Sequence, residues 1–574
     1  MIDKNSLFSI VATSKANIVL QQYYYGSVME KSVFKSEKDY GINVLPAWKK
    51  CYNGSGIIVA VVDTGIESRN SDLTNKVNKD LSYTNRTMYN ADHNLILQHG
   101  TETAGLIAAE ANNISGRGIA FGAELADLQF VSPVIDNAVP AKAFTWKNEN
   151  IDIYSCSFAR FSDSFTTYPL EFDVRQALKN GTSNGRRQRG SIYVVSSGNG
   201  GSSFIPDSCA YQGFMNNVYV ILVAGINHQL NSLPTGEKCS AMMVTAPTRT
   251  LGYNVLPEMI TTEGMNVTGN FGMNSAATAI VSGSIAVTLS ANQTLSYRDV
   301  MHIISQTANS SLPFKNIAEP FRCNDAGFKV SSQYGFGLID VEAMVEEAIK
   351  WKSVGNKIIC QLDPPVINVS LPHFLQNETL FQVEGDCNIT YLEHVEVTLI
   401  IDAPGIGHST INMLSPPTNF KSKIIPGRIL DNSDLLNITV VSVQFWGQNP
   451  YGTWKLETNR KAYVPGYNCT LDKFGVKYRG SVNTTKTGRS CQLWSSRFEY
   501  DQFPDDHNYC RNPNNDSRGP WCYTNDAYKV SESCNIPYCG TVQSAKIVFH
   551  GLIYPPKRQY KNNCTETIQN NKGI

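Results

Sequence analysis

The stretch that decides the fold is Gly56-Ile57-Ile58-Val59-Ala60-Val61-Val62-Asp63-Thr64-Gly65. Its apolar part, residues 57–62, is typical of a strand buried on both faces of a parallel sheet, and Asp63 stands at the strand's carboxyl end. Similar runs occupy residues 192–195 and 218–223, with helical stretches between them. This alternation predicts a doubly wound α/β domain with its site at the carboxyl ends of the strands.

Four polar residues follow in a fixed order: Asp63, His99, Asn199 and Ser275. A serine hydroxyl becomes a nucleophile when an imidazole accepts its proton and a carboxylate orients that imidazole. Asn199 lies in a glycine-rich turn and has an amide that can donate to a developing oxyanion. His99 and Ser275 each precede stretches rich in small helix formers, so both are expected at helix N-termini, where backbone N–H groups stabilise negative charge. The set predicts serine-dependent acyl transfer.

With these motifs, residues 18–355 resemble the catalytic domain of the subtilisin superfamily, and more narrowly of its kexin/furin-like proprotein convertases. Further support comes from three stretches, at residues 54–57, 184–201 and 332–340. The resemblance implies a catalytic triad and an oxyanion donor, which are Asp63, His99, Ser275 and Asn199. It also implies substrate-binding positions, which are Ser157, Phe158, Ala159 and Gln212.

Composition sets the outer bounds of the interpretation. A chain of 574 residues predicts two to four domains. The formal net charge is zero and no long block of like charge occurs, so nothing favours nucleic acid as a partner. We identify no apolar run long enough to span a bilayer. The 14 cysteines and fifteen Asn-x-Ser/Thr sequons indicate a glycosylated, secreted or extracellular protein of the secretory pathway, with a membrane anchor possible in a longer form.

The first residues do not form a proper signal peptide, because the apolar run at residues 7–12 is too short. Convertases resembling this chain are made with a signal peptide and a propeptide that assists folding. Residues 1–17 are too few for that propeptide. We therefore expect the N-terminus to be incomplete or mature, and residues 1–574 alone to be poorly active without an added propeptide.

After the α/β region, residues 356–465 change to short runs of alternating apolar and polar residues separated by turn residues, which predicts strands. The stretches at 414–416, 446–447 and 452–456 resemble the P domain (Homo B), the β-sandwich that follows the peptidase in convertases. In that family the sandwich stabilises the catalytic domain.

Six cysteines then fall within about seventy residues, and six cysteines allow 15 pairings. The residues between them, for example Asn508-Tyr509-Cys510-Arg511-Asn512-Pro513 and Gly519-Pro520-Trp521-Cys522-Tyr523, closely resemble a kringle. The kringle pattern implies the bridges Cys469–Cys539, Cys491–Cys522 and Cys510–Cys534. Such bridges compensate for a small core.

Lysine binding by this kringle is open. Of the two acids expected in a lysine-binding kringle, one position is Asn514 and only Asp516 is acidic, while Trp521 and Tyr523 keep part of the aromatic trough. One carboxylate holds an ammonium group weakly in water. We favour a protein-contact module without useful lysine affinity, and its protein ligand is unidentified.

The position of the kringle predicts an insertion. P domains end in a strand similar to residues 540–551, which here follow the kringle. A bridge from the first to the sixth cysteine brings the kringle's ends together, so a surface loop can host it. We therefore expect this organisation: N-terminal segment 1–17, peptidase 18–355, P domain 356–465, kringle 469–539, last P-domain strand 540–556 and tail 557–574.

The remaining cysteines follow the convertases in part. The resemblance implies the bridges Cys209–Cys239 and Cys360–Cys387. Cys156, in a predicted buried strand, is expected to be a free and inert core thiol. Cys51, Cys323 and Cys564 have no predicted partner.

The resemblance also implies Ca²⁺, which prefers hard oxygen ligands. Asp72 and Asn113 match ligands of one site. Asp207 and Glu237 match a site beneath the specificity pocket, where Asp163 is a candidate third acid. The alternative is that these loop carboxylates are merely solvated.

Substrate preference is where the sequence departs most from the convertases, which cleave after paired basic residues because carboxylates line their cleft. Several of those positions are neutral here, namely Thr64, Ser132, Val134, Asn137, Pro140 and Gln212. Ala159 stands where the family has Gly, and Met273-Asn274 where it has Gly-Thr. Each carboxylate lost beside a buried guanidinium removes about 1–3 kcal/mol, so dibasic preference is expected to weaken.

Two functional classes therefore compete. The first is a calcium-dependent secretory-pathway serine endopeptidase that acts on protein or peptide substrates with altered specificity. The second is a catalytically impaired relative that acts as a binding scaffold through its kringle and P domain.

Overall fold

The computed structural model describes most of the chain. The described residues are 41–83, 98–112, 117–131, 139–160, 163–201, 206–227, 229–250, 261–263, 266–268, 270–315, 319–362, 369–370, 377–402, 406–428, 430–431, 433, 435–460, 470, 474–476, 478–496, 507–526, 529–536 and 541–556.

A six-stranded parallel sheet forms the core of the predicted α/β domain, as the sequence predicts. Its strand order is β2-β1-β3-β4-β5-β6. The strands are β1 (Ile58–Asp63), β2 (Glu124–Gln129), β3 (Ile153–Cys156), β4 (Ile192–Ser196), β5 (Val220–Ile226) and β6 (Met242–Pro247). Nearly every residue in them is buried, which explains why they lack period-two alternation.

Seven α-helices accompany this sheet in the described part of the chain. They are α1 (Leu45–Lys49), α2 (Gln98–Ala108), α3 (Ala141–Thr145), α4 (Phe172–Gln188), α5 (Met273–Ala291), α6 (Tyr297–Thr307) and α7 (Val341–Lys350). Helix α5 is buried along almost its whole length and packs against α2, α7 and the sheet. Contrary to the sequence-based expectation, α5 is long and apolar enough to span a bilayer, but its burial marks it as a core helix.

Two short antiparallel hairpins complete this region. One joins β7 (Thr261–Glu263) to β8 (Asn266–Thr268), and the other joins β9 (Arg322–Cys323) to β10 (Lys329–Val330).

Two antiparallel sheets then form a sandwich, which confirms the predicted all-β region. One sheet has the order β11-β21-β14-β17, with β12 also paired to β21, and the other has the order β13-β18-β15-β16. The strands are β11 (Ile358–Leu362), β12 (Val369–Ser370), β13 (Asn377–Val383), β14 (Tyr391–Asp402), β15 (Ser409–Ser415), β16 (Phe420–Ile425), β17 (Leu435–Ser442), β18 (Gly452–Arg460) and β21 (Thr541–Leu552).

The disulfide-rich segment lies in the chain between β18 and β21 and contains the small hairpin β19 (Trp521–Tyr523) and β20 (Ser531–Ser533). Strand β21 is the last strand in the chain order, yet it lies inside its sheet, between β11 and β14. The kringle-like segment is therefore inserted into the sandwich, as predicted. The strand that follows it is central rather than peripheral.

The parallel sheet and the sandwich share one continuous hydrophobic core, which runs from Ile42 to Leu552. The kringle-like segment has a separate, small cluster built on Tyr478 and four cysteines.

Candidate active site

Three elements bring Asp63, His99 and Ser275 together. Asp63 is the last residue of β1, His99 lies in the first turn of α2 and Ser275 in the first turn of α5. His99 Nδ1 lies 2.8 Å and 3.0 Å from the two Asp63 carboxylate oxygens, and His99 Nε2 lies 3.1 Å from Ser275 Oγ. Since the carboxylate can only accept, Nδ1 carries the proton, and Nε2 of the neutral ring is the acceptor that faces the serine hydroxyl.

The approach of α2 to the end of β1 depends on glycine. A Cβ at Gly100 would lie 2.3 Å from the carbonyl oxygen of Gly65, and Gly65 itself has φ +116°. Both positions therefore require glycine. Thr64, a neutral residue where the convertases carry an acid, is buried and its Oγ1 accepts from the Gly100 N–H at 3.2 Å. In this chain Thr64 joins the Asp63 loop to the His99 helix.

Burial and charge act in opposite directions on the His99 imidazole. Burial favours the neutral ring, but the Asp63 carboxylate, with a smaller contribution from Glu102, more than offsets it, and the pKa of His99 is raised above its ordinary value. The ring is 39 % exposed, so it stays accessible from the cleft. A raised pKa makes His99 a stronger base toward the serine hydroxyl.

One buried acid beside the triad was missed by sequence reasoning. Asp127 on β2 stands in register with Val61, two residues before Asp63. Burial raises the pKa of Asp127 to about 7, and the nearby Asp63 charge adds to this. Since β2 mixes polar and apolar residues, no local pattern marks Asp127.

Ser275 is nearly buried, and its hydroxyl has two acceptors within reach. The Oγ lies 3.0 Å from the Ser157 carbonyl oxygen as well as 3.1 Å from His99 Nε2. One hydroxyl proton serves one acceptor well, so the two compete. Met273, the first residue of α5, has φ +61°. This left-handed conformation favours glycine, the residue that the convertases carry at this position.

The predicted substrate-binding residues lie beyond the end of β3. Ser157 is buried, whereas Phe158 and Ala159 are half-buried, and the Phe158 ring stacks on Phe214 at 5.4 Å. Gln212 is buried and follows the short 3₁₀ helix Cys209–Tyr211. Of the other neutral cleft positions, Ser132, Val134 and Asn137 lie outside the described residues, and Pro140 is exposed.

At the first predicted calcium position, Asp72 is buried and its Oδ1 accepts from Asn112 Nδ2 at 2.8 Å. Asn113 lies outside the described residues. A buried carboxylate fits the hard-ligand chemistry of calcium, so Asp72 is the residue that would hold it.

The second predicted calcium position is different. Asp207 accepts from the Ser164 and Ser208 N–H groups, Glu237 from Gly200 N–H, and Asp163 from Phe165 and Thr166 N–H. In the described part of the chain, the carboxylate oxygens of Asp163, Asp207 and Glu237 do not all lie within 4.8 Å of one another. Calcium at this position stays a prediction of the resemblance.

A protein cation stands beside these acids. The Arg428 guanidinium, from the loop after β16, lies 3.6 Å from Asp207 Oδ1 and 2.5 Å from Asp431 Oδ2. It also donates to the carbonyl oxygens of Phe165 and Thr166. Its Cζ lies 3.5 Å from the Tyr211 ring centroid, and the side chain is buried. Sequence reasoning missed Arg428 because its partners, apart from Asp431, lie more than 200 residues away.

Cysteine pairing follows the resemblance where it can be seen. The structure joins Cys209 to Cys239, Cys360 to Cys387, Cys491 to Cys522 and Cys510 to Cys534. Cys469, Cys539 and Cys564 lie outside the described residues. Cys156 is a buried free thiol whose pKa is raised by burial, Cys51 is an exposed free thiol, and Cys323 is disulfide-bonded.

The kringle's candidate ligand surface is occupied by the protein's own side chains. Arg518 forms a two-pronged ion pair with Asp516, with the closest approach at 2.5 Å, and Asn514 accepts from the Trp521 indole N–H at 3.0 Å. The hydrogen bonds from Arg518 lower the pKa of Asp516 to about 2. The single acid that a lysine ligand would need is already neutralised.

Comparison with known families gives three matches along the chain. The subtilase family matches residues 54–337, the proprotein convertase P-domain matches residues 392–478 and the kringle domain matches residues 469–539. These cover the parallel sheet with its triad, much of the sandwich, and the inserted segment.

Among curated proteins, the chain is similar to proprotein convertase subtilisin/kexin type 6 of Rattus norvegicus, 33% identical over 432 residues, which cover 72% of this chain and 45% of that protein. It is also similar to furin-like protease 1 of Drosophila melanogaster, 29% identical over 453 residues, covering 77% of this chain and 35% of that protein. The chain thus spans less than half the length of these relatives.

Among solved structures, the serine protease of Aeromonas sobria matches with a TM-score of 0.69, covering 93% of this chain and 95% of that one at 18% identity. At that identity the likeness concerns the fold.

Proposed function

Because the chain belongs to the subtilase family of serine-type endopeptidases, in its kexin/furin-like proprotein convertase branch, we propose that it hydrolyses peptide bonds with Ser275 as the nucleophile. The observation that carries the proposal is the unbroken line of hydrogen bonds from Asp63 through His99 to Ser275. A scaffold without catalytic function has no need for this alignment.

The chemistry follows from the geometry. His99 Nε2 accepts the Ser275 proton as Oγ attacks the scissile carbonyl, and Asp63 stabilises the imidazolium that forms. His99 then returns the proton to the leaving amine. The Asn199 amide and the backbone N–H groups at the start of α5 stabilise the oxyanion, and such a donor contributes about 3–4 kcal/mol. Substrate pairs with the extended segment Ser157, Phe158 and Ala159 in the manner of an added strand.

The proposed substrates are proteins or peptides of the secretory pathway, with a weakened preference for paired basic residues. Two of the neutral cleft positions support this: Thr64 bonds to the neighbouring helix and Gln212 is buried. Neither offers a carboxylate to a guanidinium. We also propose the domain boundaries given above and a protein ligand for the kringle.

Calcium is a proposal for this chain, although the convertase family is generally calcium-dependent. Asp72 would hold it in the first site, where the ion would stiffen the loop after β1 rather than enter the reaction. The second site is not included, since Arg428 already stands beside its acids.

Labelling with a serine-reactive fluorophosphonate tests the proposal. We expect stoichiometric modification of the wild-type chain at Ser275 and none in Ser275→Ala. A peptide-library cleavage profile then measures specificity, and we expect less than tenfold preference for Arg over uncharged residues at the second basic position. A folded wild-type chain that does not react would favour the scaffold function instead.

A further inference from the structure

Asn274, which directly precedes Ser275, is fully buried and holds a defined orientation. Its Oδ1 accepts from the Gly225 backbone N–H at 2.7 Å. A backbone N–H can only donate, so the side-chain atom facing Gly225 is the oxygen. The amide nitrogen of Asn274 therefore points the opposite way, where it donates to the Gly198 carbonyl oxygen.

The same nitrogen fixes the side chain of Asn199. Asn274 Nδ2 lies 3.2 Å from Asn199 Oδ1, and the Asn274 backbone N–H lies 3.5 Å from that oxygen. Two donors converge on one atom of the Asn199 amide, and only its oxygen can accept them. The Asn199 Nδ2 group is thereby turned away from Asn274, and Asn199 itself is exposed.

The chain makes room for this arrangement. A Cβ at Gly225 would lie 2.5 Å from a Thr248 methyl carbon and 3.2 Å from Asn274 Oδ1, so only glycine lets β5 approach the asparagine this closely. At Gly198, with φ +89°, a Cβ would lie 2.4 Å from Glu237 Oε1. Glycine is thus needed on both sides of Asn274.

We propose that Asn274 is a positioning residue that sets the amide orientation of the oxyanion donor Asn199. Without it, the Asn199 amide can rotate and present its oxygen, which repels the developing negative charge. The inference rests on the proposed serine hydrolase function and deepens it. It assigns a role to a position where this chain departs from the Gly-Thr of convertases.

The test uses the full chain and a fluorophosphonate, comparing the maximal rate of Ser275 modification with the concentration that gives half that rate. Asn274→Leu keeps the volume but removes both polar groups. We expect the maximal rate to fall about tenfold and the half-saturating concentration to change less than twofold, because the loss falls on the transition state.

The same Asn274→Leu substitution is also measured in a chain that carries Asn199→Ala. If Asn274 acts through Asn199, Asn274→Leu will lower the rate in the wild-type chain but not in Asn199→Ala. Equal losses in both backgrounds, or none in the wild-type chain, would overturn the inference while leaving the hydrolase proposal intact. A wild-type chain that fails to react would instead overturn the hydrolase proposal, and with it this one.

Asn324→Leu is the matched control. Asn324 lies between β9 and β10, is also buried, donates to the Gln444 and Trp446 carbonyl oxygens and accepts from the Ala326 and Phe328 N–H groups. We expect both leucine variants to lower the thermal midpoint, and only Asn274→Leu to slow modification. A variant Asn274→Asp, which offers an acceptor in place of the donor, should slow it at least as much.

Discussion

The P-domain sandwich and the kringle both follow the peptidase in the chain, but they are attached to it in opposite ways. The sandwich shares its hydrophobic core with the parallel sheet and sends Arg428 into the acids beneath the predicted specificity pocket. The kringle keeps a separate small cluster built on its disulfides. The difference indicates that the peptidase and the sandwich form one structural unit, and that the kringle is an insertion with its own small core.

Further contacts strengthen the first half of this comparison. Glu393 on β14 accepts from Arg298 and His302 of helix α6, at 2.6 Å and 2.7 Å. Ser240 Oγ donates to the Val441 carbonyl oxygen at 2.7 Å. Because Glu393, His302 and Ser240 are buried, separating the two domains would leave them without these partners.

Truncation after Pro465 should have the largest effect. It removes β21, the central strand between β11 and β14, so we expect loss of the cooperative unfolding transition and insoluble protein. Replacing residues 469–539 alone by a short linker should preserve cooperative unfolding and change the free energy of unfolding by less than about 1 kcal/mol, as measured by denaturant unfolding. Equal stability of the truncated and intact chains would contradict the insertion.

Substitution of two arginines should distinguish the sandwich interface from the kringle. Arg428→Met should lower the free energy of unfolding by about 3–5 kcal/mol, because it leaves Asp207 and Asp431 without their cation in a buried site. The exposed kringle pair offers the control: Arg518→Met should leave the free energy of unfolding unchanged within experimental error. Similar losses from both variants would mean that the interface charge is unimportant.

Acid should weaken the interface before it affects the kringle. Burial and the nearby charge of Lys357 lower the pKa of His394 to about 3. Arg298 and His302 act in the same direction, and Glu393 acts in the opposite direction. The pKa of His550 is lowered as well, chiefly by its burial. Such a histidine binds a proton only in the unfolded chain once the pH is below about 6.5. The free energy of unfolding therefore decreases as the pH is lowered through that range.

As the pH is lowered from 6.5 to 5, each such histidine reduces the free energy of unfolding by about 2 kcal/mol. Glu393, whose pKa is lowered by His302 and Arg298 against its burial, contributes stability that is lost only below about pH 4.5. His394→Leu should therefore reduce the slope of unfolding free energy against pH in the window 6.5 to 5. Replacing the kringle should leave the slope unchanged.

The smallest effect concerns the kringle's ligand. We expect the wild-type chain to bind 6-aminohexanoate with a Kd above about 1 mM, which is a binding free energy no more favourable than about −4 kcal/mol, because Arg518 already pairs with Asp516. Arg518→Gln should strengthen binding by less than tenfold, as measured by calorimetry. Tight binding by the wild-type chain would contradict the occupied-site interpretation.

Short apolar runs were enough to predict the parallel sheet, and the order of Asp63, His99 and Ser275 was enough to expect these residues at one site. The kringle insertion was implied by the resemblance to kringles and P domains rather than by spacing. Asp63, for example, follows directly from its strand. The contacts that join the domains were not predictable in this way. Glu393 and His302 are 91 residues apart, and Arg428 and Thr166 are 262 apart, so neither pair leaves a local signal. Asn274 was recognised as unusual, but its role depends on where Gly225 lies.

The place of β21 inside its sheet also fixes an order of events during synthesis. The ribosome makes the whole kringle before it makes the strand that closes the sandwich. Until then β11 and β14 lack their shared neighbour, and the apolar face that the peptidase helices need is incomplete. The sandwich, and the core that it shares with the parallel sheet, can therefore close only after the chain has been made through Leu552.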